Sequence, residues 1–186
     1  MKIKSLSLIS LVAALAGTTS ANAGMIADFY AGAVLGAGGQ TIFVDDKHES
    51  DSAMSFGAVV GLDIPLFRVE GEYSYLNSAD THGNVAMVNA YFKMPATLIM
   101  PYIGAGAGLL FSGEHEYTEA GVKTSIDFDT TIAYQGMLGL TLDLPIFPVK
   151  FDLEGRALYA PNVVEIENEK PDFLDYNVRL KARYIF

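Results

Sequence analysis

The sequence predicts an all-β protein: an eight-stranded antiparallel up-and-down transmembrane β-barrel, preceded by a cleaved N-terminal signal peptide. Three observations predict it. Segment after segment alternates apolar and polar residues with period 2, the mark of a strand with one apolar and one polar face. The connections between these segments alternate short and long. The polar faces carry equal numbers of acids and bases, as a narrow closed interior demands, because a buried charge is tolerated only when it is paired.

The alternation is clearest in Phe173–Phe186. Leu174, Tyr176, Val178, Leu180, Ala182, Tyr184 and Phe186 form one set, and Asp175, Asn177, Arg179, Lys181, Arg183 and Ile185 the other. The strand runs to a large aromatic on its apolar face, whereas the ends of soluble domains usually fray.

At the other end, Lys2 and Lys4 precede an apolar run from Leu6 through Leu15, followed by Ala21-Asn22-Ala23. This is the charge, core and A-x-A order of a signal peptide, and the run is too short to span a bilayer. Residues 1–23 are therefore expected to be removed, leaving a barrel domain of Gly24–Phe186. Loss of Lys2 and Lys4 leaves ten basic residues against 22 acidic ones, a net charge of −12. An acidic chain argues against nucleic acid as a partner. The absence of cysteine excludes a disulfide framework and thiol chemistry.

Taken in order, the first strand covers about Asp28–Ala37, Gly-rich and ambiguous in facing. The second, Met54–Ile64, sets Phe56, Ala58, Val60, Leu62 and Ile64 against Gly57, Val59, Gly61 and Asp63, and ends at the Pro65 turn. The third, Leu66–Leu76, opposes Phe67, Val69, Gly71, Tyr73 and Tyr75 to Arg68, Glu70, Glu72 and Ser74. The fourth, Asn84–Met94, opposes Ala86, Val88, Ala90 and Phe92 to Met87, Asn89, Tyr91 and Lys93. The fifth, Met100–Phe111, opposes Ile103, Ala105, Ala107 and Leu109 to Tyr102 and three glycines. The sixth, Thr130–Leu144, opposes Ile132, Tyr134, Leu138, Leu140, Leu142 and Leu144 to Gln135, Met137, Thr141 and Asp143. The seventh, Val149–Tyr159, opposes Val149, Phe151, Leu153, Ala157 and Tyr159 to Lys150, Asp152, Glu154, Arg156 and Leu158.

Links after the second, fourth and sixth strands are short. Those after the others are longer: Gly38–Ala53, Asn77–Gly83, Ser112–Asp129 and Ala160–Asp172. Short turns on one side and longer loops on the other mark a transmembrane barrel, with both termini on the short-turn, periplasmic side. A soluble lipocalin-like barrel also alternates, with its apolar residues inside. The terminal Phe186, the charge balance and the aromatics near strand ends favour the membrane form. Seven bases (Arg68, Lys93, Lys150, Arg156, Arg179, Lys181, Arg183) face inward with seven acids (Asp63, Glu70, Glu72, Asp143, Asp152, Glu154, Asp175). Phe67, Tyr75, Phe92, Phe147, Tyr159, Tyr176, Tyr184 and Phe186 would form interfacial girdles. In hydrocarbon only a closed ladder satisfies every backbone group, and eight strands leave an interior just filled by side chains. Gly57, Gly61, Gly104, Gly106, Gly108 and Gly139 are expected to make room for Arg68, Arg156, Arg179 and Arg183, giving a salt-bridged plug without a wide aqueous pore.

With the strands placed, the stretches DFYAGAVLGAG, MVNAYFKM, PYIGAGAG, AYQGMLGLTLDL and the terminal RYIF resemble the small outer-membrane β-barrel family that includes OmpA-like and OmpX-like barrels and opacity-type surface antigens. The terminal Phe with apolar residues at alternate positions before it resembles the signal that this family's assembly machinery recognises. The resemblance implies the Gram-negative outer membrane, long loops at the cell surface, contact with membrane lipid and lipopolysaccharide, and roles as anchors, adhesins, antigens or, occasionally, lipid A-modifying enzymes. No peptidoglycan-binding domain is expected after the last strand.

Function in such a scaffold belongs to the loops. The four long loops hold fourteen acids against Lys47, Lys123 and Lys170. They could bind divalent cations bridging to lipopolysaccharide phosphates, attract a basic partner, or form a solvated acidic surface. DDKHESD lacks the glycine a calcium loop needs. His48, His82 and His115 fall one each in the first three long loops; no two lie at ligand spacing, so no metal and no cofactor are expected. His48, Ser50 and Asp51 resemble the palmitoyltransferase arrangement of this class, and the lipid A deacylase type requires a histidine beyond His115, which is absent. The Gly104–Gly108 run sits mid-strand with no following helix or lysine, so it is not a phosphate loop. Glu70, Glu72 and Glu154 would serve as a catalytic carboxylate set only if they lacked cationic partners. The expectation is thus a monomeric, non-enzymatic barrel that contacts a host or cell-surface ligand through acidic loops. The alternatives are a lipid A-modifying enzyme and a narrow ion channel.

Overall fold

The computed structural model describes residues 27–44, 47–78, 81–96, 98–119, 122–127, 130–144, 146–161 and 172–186. The expected signal peptide and most of the fourth long loop lie outside these residues, as do the side chains of 42–51, 81 and 112–129.

Nine strands follow in order: β1 (Asp28–Val44), β2 (Lys47–Asp63), β3 (Phe67–Ser78), β4 (Thr81–Lys93), β5 (Ile99–Glu119), β6 (Val122–Asp127), β7 (Thr131–Asp143), β8 (Val149–Ala160) and β9 (Asp172–Ile185). All pairings are antiparallel and between chain neighbours, save that β5 also pairs β7 and β1 also pairs β9, the latter from Tyr30↔Ile185 to Phe43↔Asp172. With β4 on β5 the sheet closes. β6 and β7 are one barrel stave in two pieces. β5 pairs β6 from Glu119↔Val122 to Glu114↔Asp127, then β7 from Leu110↔Thr131 to Ile99↔Leu142. Eight staves result; among the described residues each is paired on both sides through the barrel wall, and the β6 piece pairs β5 alone.

The short turns are hydrogen-bonded as expected of tight links: Ile64 N–H donates to Phe67 O (2.8 Å), Met94 N–H to Pro101 O (2.9 Å) and Phe147 N–H to Leu144 O (2.9 Å). At the opposite end the strands run further than the alternation indicates. Much of the expected loops Gly38–Ala53 and Ser112–Asp129 is strand: β1 and β2 pair out to Val44↔Lys47, and β5 and β6 out to Glu119↔Val122. Their acid-rich composition reads as loop, yet the backbone ladder continues because it does not depend on side-chain polarity. A bulge between His82 and Asn84, opposite Phe111 and Glu114, marks where β4 and β5 leave the regular wall.

The facing of every stave follows the apolar alternation, and the first strand is now fixed: Phe29 and Leu35 point out, Tyr30 and Val34 in. Leu138 is 70% exposed and Leu35 65%, while Arg68, Glu70, Asp152 and Glu154 are fully buried. A lipocalin-like barrel would show the reverse. An outward wall of Val, Leu, Ile and Phe around a core of ions is stable only where the surroundings are hydrocarbon. Phe67 packs on Phe92 (5.6 Å between centroids) and Tyr184 on Phe186 (5.2 Å) near the short-turn end. Tyr159 and Tyr176 lie toward the other rim, so two girdles bound the wall.

The glycines work differently from expectation. Gly61, Gly104 and Gly139 stand in register opposite Tyr30, Tyr91 and Tyr102, and Gly57, Gly106 and Gly108 opposite Ser74, Asn89 and Met87. A Cβ at Gly61 would lie 2.6 Å from the Tyr30 hydroxyl, and one at Gly139 2.6 Å from that of Tyr102. The arginines are accommodated elsewhere: Arg183 lies over Gly32 and Arg179 over Gly36, both on β1.

Candidate functional site

The interior is a continuous ladder of ions reaching across the lumen. Nearest the short turns, Asp63 on β2 accepts from Lys93 on β4 and Arg183 on β9 (3.3 Å), with Lys150 at 3.6 Å; Lys150 also pairs with Asp143 at 2.9 Å. Next, Asp152 on β8 accepts from Arg183 Nε (2.7 Å) and Nη2 (2.9 Å), from Arg68 on β3 (3.1 Å) and from Thr141 (2.6 Å). The Arg68 guanidinium lies 4.0 Å and 4.7 Å from the ring centres of Tyr91 and Tyr102, which covers its remaining N–H groups with π faces.

Above these, Glu70 accepts from Lys181 (2.8 Å), Tyr30 (2.7 Å) and Tyr91 (2.8 Å). Glu154 pairs with Arg179 Nη2, Arg179 Nε (2.9 Å) and Lys181 (3.1 Å), and accepts from Tyr102 (3.0 Å). Glu72 accepts from both Arg179 terminal nitrogens (2.5 and 3.1 Å), Ser74 (2.7 Å) and Asn89 (3.1 Å), with Arg156 at 3.5 Å. Finally Asp175 Oδ1 accepts from Arg156 (2.6 Å) and Asn177 (2.8 Å). Asp63, Glu70, Glu72, Asp152, Glu154 and Asp175 are thus buried with Arg68, Lys93, Arg156, Arg179, Lys181 and Arg183. Equal numbers and multiple contacts per ion offset the desolvation that an unpaired buried charge would suffer. Glu70, Glu72 and Glu154 are therefore ion-paired structural groups; none stands ready as a base.

One feature of the lumen is not legible in the polar-face pattern. Toward the long-hairpin end, Leu76, Val85, Met87, Leu110, Ala133, Leu158, Ala160 and Phe173 form a buried apolar cluster drawn from six strands. On each stave these residues follow the ladder outward: Ser74 then Leu76, Arg156 then Leu158, Asp175 then Phe173. Met87 and Leu158 sit at nominally polar positions because that end of the lumen is apolar. The signal in the sequence is apolar character on both faces, as in Leu109-Leu110-Phe111.

The histidines are on strands, not in loops. His48 lies on β2 opposite Phe43, and His115 on β5 opposite Thr81 and Ile126. His82 lies on β4 opposite Asn77 and Glu114, its ring 6.5 Å from that of Tyr75. The side chains of His48, Ser50, Asp51 and His115 lie outside the described residues. Among the described residues, no group of three His, Cys, Asp or Glu is placed to hold a metal.

No family model matches the chain, and no curated protein sequence does. Solved structures do. Neisserial surface protein A superposes with a TM-score of 0.62 at 16% identity, covering 85% of this chain and 97% of that one. The outer membrane protein OprG from Pseudomonas aeruginosa gives 0.50 at 12% identity, covering 86% and 95%. At these identities the likeness establishes the fold. The chain has the architecture of the small eight-stranded outer-membrane barrels.

Proposed function

We propose that this outer-membrane barrel is a non-enzymatic surface protein whose acidic outer hairpins engage a cationic partner. The reading is carried by one observation. Strand pairing extends in long hairpins at one end only, and those extensions carry Glu49, Asp51, Glu114, Glu116, Glu119 and Asp127 against Lys47 and Lys123. A concentration of one sign on an otherwise charge-balanced body steers an oppositely charged ligand and sets its orientation. The partner is a basic region of a host or cell-surface ligand, or divalent cations held between these acids and lipopolysaccharide phosphates. In this reading the export segment is cleaved after Ala23, the barrel is a monomer, the termini are periplasmic and the long hairpins face outward. The interior carboxylates support a structural part for the lumen, since each has a cation within ion-pairing distance.

The test uses the processed chain refolded into nanodiscs of neutral lipid, with poly-L-lysine as the probe. Binding should weaken as salt is raised from low ionic strength to about 0.15 M, where exposed charges are screened beyond about 8 Å. It should be lost when the six hairpin acids are replaced by their amides. Equal binding by both proteins overturns the proposal. Lipid A whose mass profile changes on expression of the chain would replace it with the enzyme reading.

A further inference from the structure

The two ends of the barrel differ in more than hairpin length. The three short turns, residues 64–66, 94–101 and 144–149, contain no charged residue, and Thr97 and Tyr102 bracket them as the nearest uncharged polar side chains on the β5 side. Their apolar side chains are not packed away. Ile146 is 89% exposed, and Leu66, Met94, Leu98 and Phe147 are exposed with it. The nearest charges turn the other way: Asp63 and Lys93 are buried in the lumen, and Asp143 pairs with Lys150 at 2.9 Å. Asp28, exposed at the mouth, alternates with outward-facing Phe29. A ring of bare apolar turns therefore surrounds an ionic mouth.

The backbone of these turns is adapted in the same sense. Five of the seven prolines, Pro65, Pro95, Pro101, Pro145 and Pro148, fall here, and proline has no N–H to satisfy. The N–H groups of Ile64, Met94 and Phe147 are hydrogen-bonded within their turns. The carbonyls of Leu66, Leu98 and Pro148 accept from the N–H groups of Lys93 (2.8 Å), Asp143 (3.0 Å) and Ile185 (2.8 Å). A turn in water needs neither device, because water supplies the missing partners; a bilayer does not.

An exposed apolar patch of this kind marks a contact with a protein or a membrane. Continuity selects the membrane. Phe67, Phe92, Ile99 and Phe186 are all exposed and lead from the turns into the outward wall without an intervening polar belt. A transmembrane barrel flanks its apolar band with an aromatic girdle; here the chain stays apolar beyond the girdle, to the tips of its turns. A protein interface carries a polar rim, and these turns supply only Thr97 to build one.

We propose that the short turns are seated in the headgroup–acyl boundary of the bilayer leaflet on their own side. The occupant of the apolar ring is bilayer lipid, so the barrel is anchored by its turn tips as well as by its wall. Its ionic mouth opens at the level of the headgroups instead of standing clear of them.

The chain has no cysteine, so single cysteines report one position each. Ile146→Cys and Leu98→Cys, each carrying a polarity-sensitive fluorophore, are compared with Ser52→Cys, which is exposed on the extended β2 hairpin. The full barrels are folded into phosphatidylcholine vesicles with iodide on both sides. Both turn labels should emit to the blue of the Ser52→Cys label, resist quenching by iodide, and be quenched by lipid brominated high on its acyl chain. Iodide access at either turn equal to that at Ser52→Cys overturns the proposal. Protection that is absent in vesicles and present only in isolated outer membranes also overturns it, and assigns the ring to a protein partner. Both turn positions are exposed, so neither substitution removes core packing; if one variant does not fold, the other decides.

Discussion

Arg179 on β9 and Glu72 on β3 are 107 residues apart in sequence and meet at 2.5 Å across the lumen. Strands β1 and β2 lie between them in the sheet, so the contact ties opposite walls of the barrel. The same guanidinium holds Glu154 on β8. One side chain thereby ties three staves together from within the lumen.

Removing that side chain leaves two buried carboxylates short of a cation. Glu72 keeps Arg156 and Glu154 keeps Lys181, so Arg179→Met should cost about 3 kcal/mol, the lower end of what breaking a buried pair costs. Adding Glu72→Gln and Glu154→Gln should restore most of the loss, since neutral partners no longer suffer uncompensated burial. Urea unfolding from lipid vesicles reads both. A triple variant less stable than Arg179→Met would refute the ion-pair account.

Leu138 sits mid-stave on β7 and faces out, whereas Phe147 faces out from a short turn. Leu138→Arg should therefore destabilise the barrel by about 2–4 kcal/mol and Phe147→Arg by no more than about 1 kcal/mol, following the depth dependence of charge on a lipid face. The same vesicle titration measures the difference. Equal costs would mean that the two sites do not differ in depth.

The staves and their facings are legible because lipid imposes one rule on every outward position: Leu138, Val178 and Phe92 must be apolar, and the intervening residues betray the interior. The outer ends are not legible by that rule. Residues 38–53 include a run of consecutive polar residues, Lys47-His48-Glu49-Ser50-Asp51-Ser52, so they read as loop although β1 and β2 stay paired. The apolar cluster is hidden for the opposite reason. Leu158 and Met87 look like lapses in alternation until the strands are closed and Leu76, Leu110 and Phe173 meet them. Glycine placement needs register, which no single strand contains: Gly36 lies against Arg179 only because β1 pairs with β9.

That register separates two glycines. A Cβ at Gly36 would stand 2.5 Å from Ser55 Oγ and 3.0 Å from Arg179 Cγ, whereas one at Gly136 would meet nothing within 4 Å. Gly36→Ala should cost about 1–3 kcal/mol by forcing the stem of Arg179 off its partners, and Ser55→Gly should recover part of it. Gly136→Ala should stabilise by about 0.4–1 kcal/mol, since it restricts the unfolded chain and displaces only lipid. Opposite signs in parallel unfolding curves are the expected result.

Phe173 separates stability from permeability. It is nearly completely buried among Leu158, Ala160 and their neighbours, so Phe173→Ala should cost about 3–5 kcal/mol through lost packing and the cavity left behind. Planar-bilayer current should nevertheless stay at background, because the cross-lumen pairs Arg179–Glu72, Lys181–Glu70, Arg68–Asp152 and Arg183–Asp63 remain beneath the opening. Current should rise only when Phe173→Ala is combined with Arg179→Ala and Glu72→Ala, which opens the apolar and ionic layers together. Conduction by Phe173→Ala alone would show that the apolar cluster, and not the ladder, is the barrier to ions.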